Sequence, residues 1–363
     1  MSTSPEPIEA VSQRLDKFVS EQISYASALG SEAEKMARAG ASSLRGGKRL
    51  RARFLLTGRR AVDEAAAGAP AAPDTAAIGV AAALEVFQAA ALVHDDLIDN
   101  SDTRRGQPAA HRALQAAHVD ARWAGDPEAF GRSAAILLGD LLVAWSDDLL
   151  EESLDGLATA GATRRQYADM RRDVTIGQFL DVAEESAYAV HDDEDHADRA
   201  LRVASYKSAR YSIQKPLQIG AALAGADDGQ LDALGRFGHD IGMAFQLRDD
   251  VLGVFGDSAV TGKPSGDDLR EGKRTVLVAY ARQALSVERR EELDGLLGDR
   301  TLDAGRIGDL QQTIVDTGAL ERTEELIAEY ERQAEGALDG ARLGREAVAE
   351  LRELARAATR RTS

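Results

Sequence analysis

The sequence predicts an all-α protein, on three observations. Its 363 residues are 44% hydrophobic, 29% charged and only 5% aromatic, rich in Ala, Leu, Glu and Arg, which are good helix formers. Apolar residues recur at helical spacing, as in Leu84, Phe87, Ala91 and Leu92. Alternating β-branched runs, which strands favour, are few. Length alone would allow two domains, but no linker is long or flexible enough to mark a boundary. Residues 1–8 are therefore expected to form a disordered tail and residues 9–363 a single helical domain.

Charge and composition narrow the function. A net charge of −17 argues against nonspecific nucleic-acid binding, which needs a basic surface to displace counterions, and against an anionic membrane surface. The most apolar windows, Gly79 to Val93 and Ser133 to Leu150, are interrupted by Glu85, Gln88 and Asp140, so no transmembrane segment is expected. The N-terminus "MSTSPEPIEAVSQ" lacks the pattern of a signal peptide, which makes a cytoplasmic location the expectation. With no cysteine there is no disulfide, thiolate metal site or cysteine nucleophile, and any metal must sit on oxygen or imidazole.

Several segments carry chemistry. "SLRGGKRLRARFLL", Ser43 to Leu56, places Gly47, Lys48 and Arg51 ahead of an apolar helical run; glycines there would open backbone amides to phosphate, and Lys48 and Arg51, at i and i+3, would share a face. An ordinary cationic helix start has the same look. "VDEAAAGAPAAPDTAA", Val62 to Ala77, reads as a connector because its glycine and two prolines break helices. "LVHDDLIDNSDTRRG" follows an apolar helix, with Asp95 and Asp99 one turn apart on one face and Asp96 displaced sideways. Like charges at that spacing repel, and magnesium, held by one or two carboxylates plus substrate phosphates, would offset them. A solvated acidic face is the plainer reading of such a pair alone, and fits Asp147 and Asp148.

Arg104 and Arg105 follow, with planar forks suited to bidentate phosphate recognition. His94 and His111 flank this segment as packing or hydrogen-bonding residues rather than ligands. "HDDEDHADR", His191 to Arg199, is a polar acidic stretch between helices, and "SYKSARYSIQKP" supplies Lys207. A second pair, Asp249 and Asp250, lies in "RDDVLGVFGD", where Gly253 stands at the place of a matching third acid. "GKPSGDDLREGKRT" adds Lys263 and Lys273 in a loop that could form a mobile cover.

Taken in order, GGKRLR, DDLID, RRG, a central lysine, FQLRDD and a GK loop resemble the trans-isoprenyl diphosphate synthases, with matching spacing from about Ser43 to Thr275. The resemblance implies a large all-α bundle around a central cavity, with two aspartate-rich motifs facing each other at its mouth. It implies magnesium, two or three ions bound with an allylic diphosphate, on Asp95 and Asp99 with Asp96 in support, and on Asp249 and Asp250. By the same resemblance Arg104, Lys207 and Lys263 contact the allylic diphosphate, and Lys48, Arg51, Gln88 and Arg105 hold isopentenyl diphosphate, with Gly47 and Lys273 nearby. Ser208 stands where that family usually has threonine, and Gln246 matches a glutamine lining the reaction centre. A homodimer is the family's habit.

The resemblance also bears on product length. The growing chain would run past Ala91 and Ala90, both small, toward Phe87, which lies two turns below Asp95, about 12 Å along the helix. Phe87 would be the floor, and geranylgeranyl diphosphate the product. Farnesyl or longer polyprenyl products remain alternatives, as do a class I terpene cyclase and a noncatalytic regulatory subunit; "RDDVLGVFGD" lacks the cyclase metal pattern, and such subunits usually lose the aspartates retained here.

Overall fold

The computed structural model describes residues 6–67, 74–256 and 265–359. It divides into two compact units. One contains the described residues up to Arg59 and those from Asp74 to Ala160; the other contains Arg60–Ala67 and the described residues from Gly161 onward.

In the first unit the helices are α1 (Pro7–Ser27), α2 (Ser31–Ser43), the start of α3 (Leu50–Ala67), α4 (Thr75–Ile98), α5 (Ala110–Asp120) and α6 (Pro127–Leu154). Helix α1 begins inside the expected tail, because Pro7 suits a first helical position whose missing N–H needs no partner. The expected connector is also shorter: α3 continues to Ala67, and α4 starts at Thr75 on the cap Asp74, which accepts the Ala77 amide at 2.9 Å and two bonds of 2.8 Å from Arg59. Residues 68–73 of that connector, and residues 1–5 of the tail, lie outside the described residues.

Helix α4 is long and apolar enough to cross a membrane, yet 72% of its most apolar window is buried inside the protein. It is the central helix of this unit, packed along α6. Small residues allow the approach: a Cβ on Gly139 would overlap the His94 imidazole, and one on Gly79 would overlap Ser153. Val80, Leu84, Leu138 and Leu142 are fully buried, and Phe18 meets Trp145 edge-on with centroids 6.0 Å apart. Between α4 and α5 the chain makes a two-stranded hairpin, β1 (Thr103–Arg104) with β2 (Gln107–Pro108), the one sheet among the described residues. Its two-residue turn has positive φ at both Arg105 (53°) and Gly106 (72°), the combination that matches strand twist in tight hairpins.

The second unit contains α7 (Ala160–Ala187), a 3₁₀ turn at Tyr188–Val190, α8 (His196–Val203), a π-helix (Ala204–Gln214), α9 (Lys215–Leu223), α10 (Asp228–Phe255), α11 (Asp267–Glu271), α12 (Val276–Ala284), α13 (Val287–Leu296), α14 (Ala304–Asp316), α15 (Ala319–Ala337) and α16 (Arg345–Thr359). Helix α10 starts with a reciprocal cap between Asp227 and Gln230 and runs against the π-helix and α15, over a core that includes Leu247, Leu269, Val276 and Ile314. The acidic stretch before α8 is engaged: Glu184 takes Arg199 at 2.9 Å, and Asp193 takes Arg282 at 3.0 Å.

The π-helix was not legible in the sequence. Its joints with α8 and α9 keep right-handed helical angles, and the Lys215 amide donates to the Arg210 carbonyl five residues back. Pro216, with no N–H and a ring that crowds the preceding turn, is a local reason for the wider ladder. Glycines press backbone onto this segment from both sides. A Cβ on Gly177 of α7 would overlap the Tyr206–Lys207 backbone, and one on Gly242 of α10 would lie 2.6 Å from both the Cα and the carbonyl oxygen of Ala209.

These contacts make a sign prediction for Gly242→Ala. Helix propensity alone would stabilise by about 1 kcal/mol, whereas forcing a methyl against fixed backbone costs about 1–3 kcal/mol or more. Because backbone cannot rotate away as a side chain can, the steric cost should win. Urea denaturation should show a net loss of stability; a gain would mean that the helices separate freely here.

Candidate active site

The accessible side of α4 in the first unit carries Gln88, Ala91, Leu92, Asp95 and Asp99, all half-buried, while Ala90 is 1% and Phe87 6% exposed. Asp95 and Asp99 are thus one turn apart at the C-terminal end of the helix, where Asp99 is the cap and donates its amide to the Asp95 carbonyl at 2.8 Å. Negative side chains oppose the negative end of the helix dipole, so this pair calls for cations.

Asp96 is buried and engaged. The Arg104 Nε donates to its Oδ1 at 2.7 Å, Nη2 makes a second close contact, and Nη2 lies 3.6 Å from Asp95 Oδ2. Burial raises the Asp96 carboxyl above its ordinary range even against the pull of Arg104. Burial would lower the Arg104 guanidinium, but the bond to Asp96 holds it above its usual value. The pair fixes the β-hairpin to the end of α4.

Around Gly47 the cations are arranged differently from the expectation of one helical face. Gly46 (φ 74°), Gly47 (φ 88°) and Arg49 (φ 50°) have left-handed backbone, so the helix begins only at Leu50 and Lys48 projects from an exposed loop ahead of it. Lys48 and Arg51 therefore do not share a helix face as i, i+3 neighbours. Arg105 closes the loop from the hairpin: its Nη1 donates to the Arg45 carbonyl at 3.0 Å, and a Cβ on Gly47 would lie 2.9 Å from its Nη2. Burial, with the nearby charges of Arg49, Arg104 and Arg51, lowers the Arg105 guanidinium below its ordinary value.

His94 lies against Gly139 with its Nε2 3.3 Å from the Ile136 carbonyl oxygen, and His111 is 3% exposed, 3.9 Å from Asp102. Both are packing residues.

In the second unit Lys207 and Ser208 lie on the π-helix, half-buried, and Lys207 Nζ makes a close ion pair with Asp181 of α7. Glu185, one turn after Asp181, is within electrostatic reach of Lys207, Glu271 and Lys273. Near the C-terminal end of α10, Asp249 is exposed and Asp250 is buried. Gln246 donates its amide to Asp250 Oδ1 at 2.7 Å rather than standing free. Burial, then the charges of Asp268 and Asp249, push the Asp250 carboxyl up to about 8.

The vacancy left at Gly253 is filled, because the Asp268 carboxylate occupies the place where a Cβ would stand. Part of the expected mobile cover is helical. Helix α11 is anchored by Leu269, which is fully buried, and Lys273 pairs with Glu271 at 2.9 Å and lies 3.6 Å from Asp268. Lys263 lies outside the described residues.

Glu85, Arg49, Asp181 and Asp268 were not singled out as site residues from the sequence. Glu85 alone left a signal, as a charge inside an otherwise apolar helix.

Among the described residues no group of three or more Asp, Glu or His side chains comes together to hold a metal. Accessible carboxylates in ones and twos, as at Asp95, Asp99 and Asp249, suit an ion that completes its shell with diphosphate oxygens and water. That donor set fits magnesium.

The polyprenyl synthetase family matches residues 33–314. The chain belongs to this family. A geranylfarnesyl diphosphate synthase of Aeropyrum pernix is 34% identical over 80% of this chain and 82% of its own length. A geranylgeranyl diphosphate synthase of Mycobacterium tuberculosis is 37% identical, over 61% of this chain and 57% of its own. The crystal structure of geranylgeranyl pyrophosphate synthase from Corynebacterium glutamicum, complexed with isoprenyl diphosphate and magnesium, superposes with a TM-score of 0.90, at 39% identity over 98% of both chains. The all-α fold of the isoprenyl diphosphate synthases is therefore that of this chain as well.

Asp250 makes a pH prediction for the metal-free polyprenyl synthetase. Its folded-state pKa is raised from 3.8 to about 8, so the folded chain holds this proton more tightly than the unfolded chain. The stability this confers is lost as pH rises between those values. Asp250→Asn, which never ionises, should gain in Tm relative to the parent, the gap widening between about pH 5 and about pH 8. A gap that stays flat across that range would show that Asp250 is ionised at little cost.

Proposed function

We propose that residues 9–363 act as one catalytic domain, a trans-prenyltransferase that condenses isopentenyl diphosphate head-to-tail with allylic diphosphates, most simply to geranylgeranyl diphosphate. The observation that carries the reading is the makeup of the first unit. An accessible acidic stripe ending in Asp95 and Asp99 is tied, through Arg104, to a loop and hairpin that crowd Lys48, Arg51 and Arg105. A metal-binding group and a diphosphate-binding group beside each other are what this chemistry needs.

Breaking the allylic carbon–oxygen bond releases diphosphate, and magnesium held by Asp95, Asp99 and Asp249 would supply charge stabilisation for that leaving group. We take the number of ions to be two or three. Arg104, Lys207 and Lys263 serve the allylic diphosphate; Lys48, Arg51, Gln88 and Arg105 orient isopentenyl diphosphate so that its double bond attacks the allylic cation, forming the new carbon–carbon bond. The proton lost in the last step passes to the released diphosphate. Gln246 and Asp250 support the second acidic motif.

Product length rests on α4. Ala91 lies on its accessible side one turn below Asp95, and Phe87, one turn further down that row and only 6% exposed, is the first large side chain on it. The names of the relatives include both geranylgeranyl and geranylfarnesyl synthases, so this part of the proposal stands on the small-then-large order of side chains. A cytoplasmic location and a homodimer complete it. In the first unit Leu137 of α6 is more than half exposed with Ile136 next to it, and in the second so is Phe179 of α7 with Ile176 three residues before it; each is apolar surface that a second copy would cover.

Asp95→Asn and Asp99→Asn should each remove most turnover while leaving helical circular dichroism unchanged, a loss of about 3–4 kcal/mol in transition-state stabilisation. Activity near that of the parent in saturating magnesium would refute the metal assignment. In product analysis, Ala91→Phe should shorten the main product and Phe87→Ala should lengthen it. Unchanged products in both variants would show that this stripe does not line the path of the chain.

A further inference from the structure

Glu85 interrupts the apolar run of α4, and burying a lone carboxylate is costly unless its bonds are satisfied. It is 7% exposed, and both oxygens are used. Oε1 accepts the Ala52 amide at 3.2 Å, and Oε2 accepts Arg49 Nη1 at 3.3 Å. Ala52 is the third residue of α3, whose amide is normally satisfied by the side chain of the N-cap residue. Here the N-cap position is Arg49, whose carbonyl receives the Arg53 amide at 3.0 Å but whose side chain can only donate.

Glu85 therefore caps α3 from α4. It also holds the residue with left-handed backbone between Lys48 and Arg51, and Arg49 uses its other nitrogen, Nη2, to hold the Leu44 carbonyl at 2.7 Å. The loop that carries Lys48 is thus tied at Leu44, at Arg45 by Arg105, and at its helix start by Glu85.

We infer that Glu85 is a positioning residue for isopentenyl diphosphate: it touches no substrate, and it sets Lys48 and Arg51 at the spacing that receives the diphosphate. This rests on the proposed assignment of Lys48, Arg51 and Arg105 to that substrate. The alternative, that Glu85 serves only to balance charge, makes the opposite prediction. Four arginines surround the loop, and Arg105 has Arg49, Arg104 and Arg51 as repulsive neighbours with Glu85 opposing them. Removing one negative charge from such a cluster would by Coulomb's law alone make an anion bind more tightly. Losing the position of two cations would make it bind more weakly.

The test measures isopentenyl diphosphate binding by calorimetry, without metal, to the full chain and to Glu85→Gln, Arg49→Met and Lys48→Ala, with circular dichroism as the control for folding. Glutamine keeps the shape and an acceptor for Ala52 but turns a donor toward Arg49. Glu85→Gln should raise Kd roughly tenfold, the scale of one charge-assisted bond. Arg49→Met should raise it similarly, and the double variant should cost no more than the larger single change.

The KM for the allylic substrate should move little in Glu85→Gln, which general unfolding would not spare. If Glu85→Gln leaves Kd unchanged or lowers it while Lys48→Ala raises it, the positioning role is overturned and the substrate assignment stands. If Lys48→Ala has no effect, the substrate assignment itself falls. Should Glu85→Gln fail to fold, Arg49→Lys, which keeps the charge but not the two-armed hold on Glu85 and Leu44, decides in its place, and an unchanged Kd there overturns the inference.

Discussion

Like charges have to be held next to one another, and the first unit is built around that constraint. A site that takes diphosphates with metal ions needs crowded cations beside crowded carboxylates, each repelling its own kind. Buried counter-charges make this tolerable. Asp96 fixes Arg104, and Glu85 fixes Arg49 while capping α3, so the half-buried Asp95, Asp99 and Arg51 and the exposed Lys48 are presented from a framework already set. Buried ion pairs contribute little net stability, because desolvation offsets most of their attraction. Their use here is geometric: charge aimed in advance costs no reorganisation when the reaction develops it.

The second unit reaches the same end through backbone contact. Lys207 sits on a π-helix whose wider turn redirects side chains relative to the α-helices on either side, and that turn is confined by Gly177 and Gly242. Asp181 then receives the lysine. At the end of α10 a glycine again makes room, this time for a carboxylate from another helix. Asp268 fills the space beside Gly253, and its charge is one reason that Asp250 holds a proton so tightly.

Helix α4 serves packing and chemistry at once. Its alanines and Gly79 let α6 approach closely, and the same small residues continue as Ala91 on the accessible side below the aspartates. A run of small apolar residues ending in acids thus resembles a membrane span by composition while acting as the core helix of a globular unit. Burial of both Glu85 and Asp96 on this helix separates the two roles, since each has hydrogen-bonded partners waiting for it.

The sequence by itself determined the helical class, the acidic stripe of Asp95 and Asp99, the apolar face beneath it and the order of cationic segments that marks the family. These are properties of residue type and spacing, and a helix repeats its face every three to four residues wherever it sits. Tertiary structure alone decided what lies between motifs distant in sequence. That Glu85 caps a helix beginning at Leu50, that Asp181 meets Lys207 and that Asp268 stands in the space beside Gly253 depend on which helices pack together. The left-handed Arg49 and Arg105 are of the same kind, because an arginine has no intrinsic preference for that conformation and adopts it only where surrounding bonds repay the strain. The π-helix is of the same kind: Pro216 alone does not mark a wider turn, and glycine contacts from α7 and α10 show where the extra residue goes.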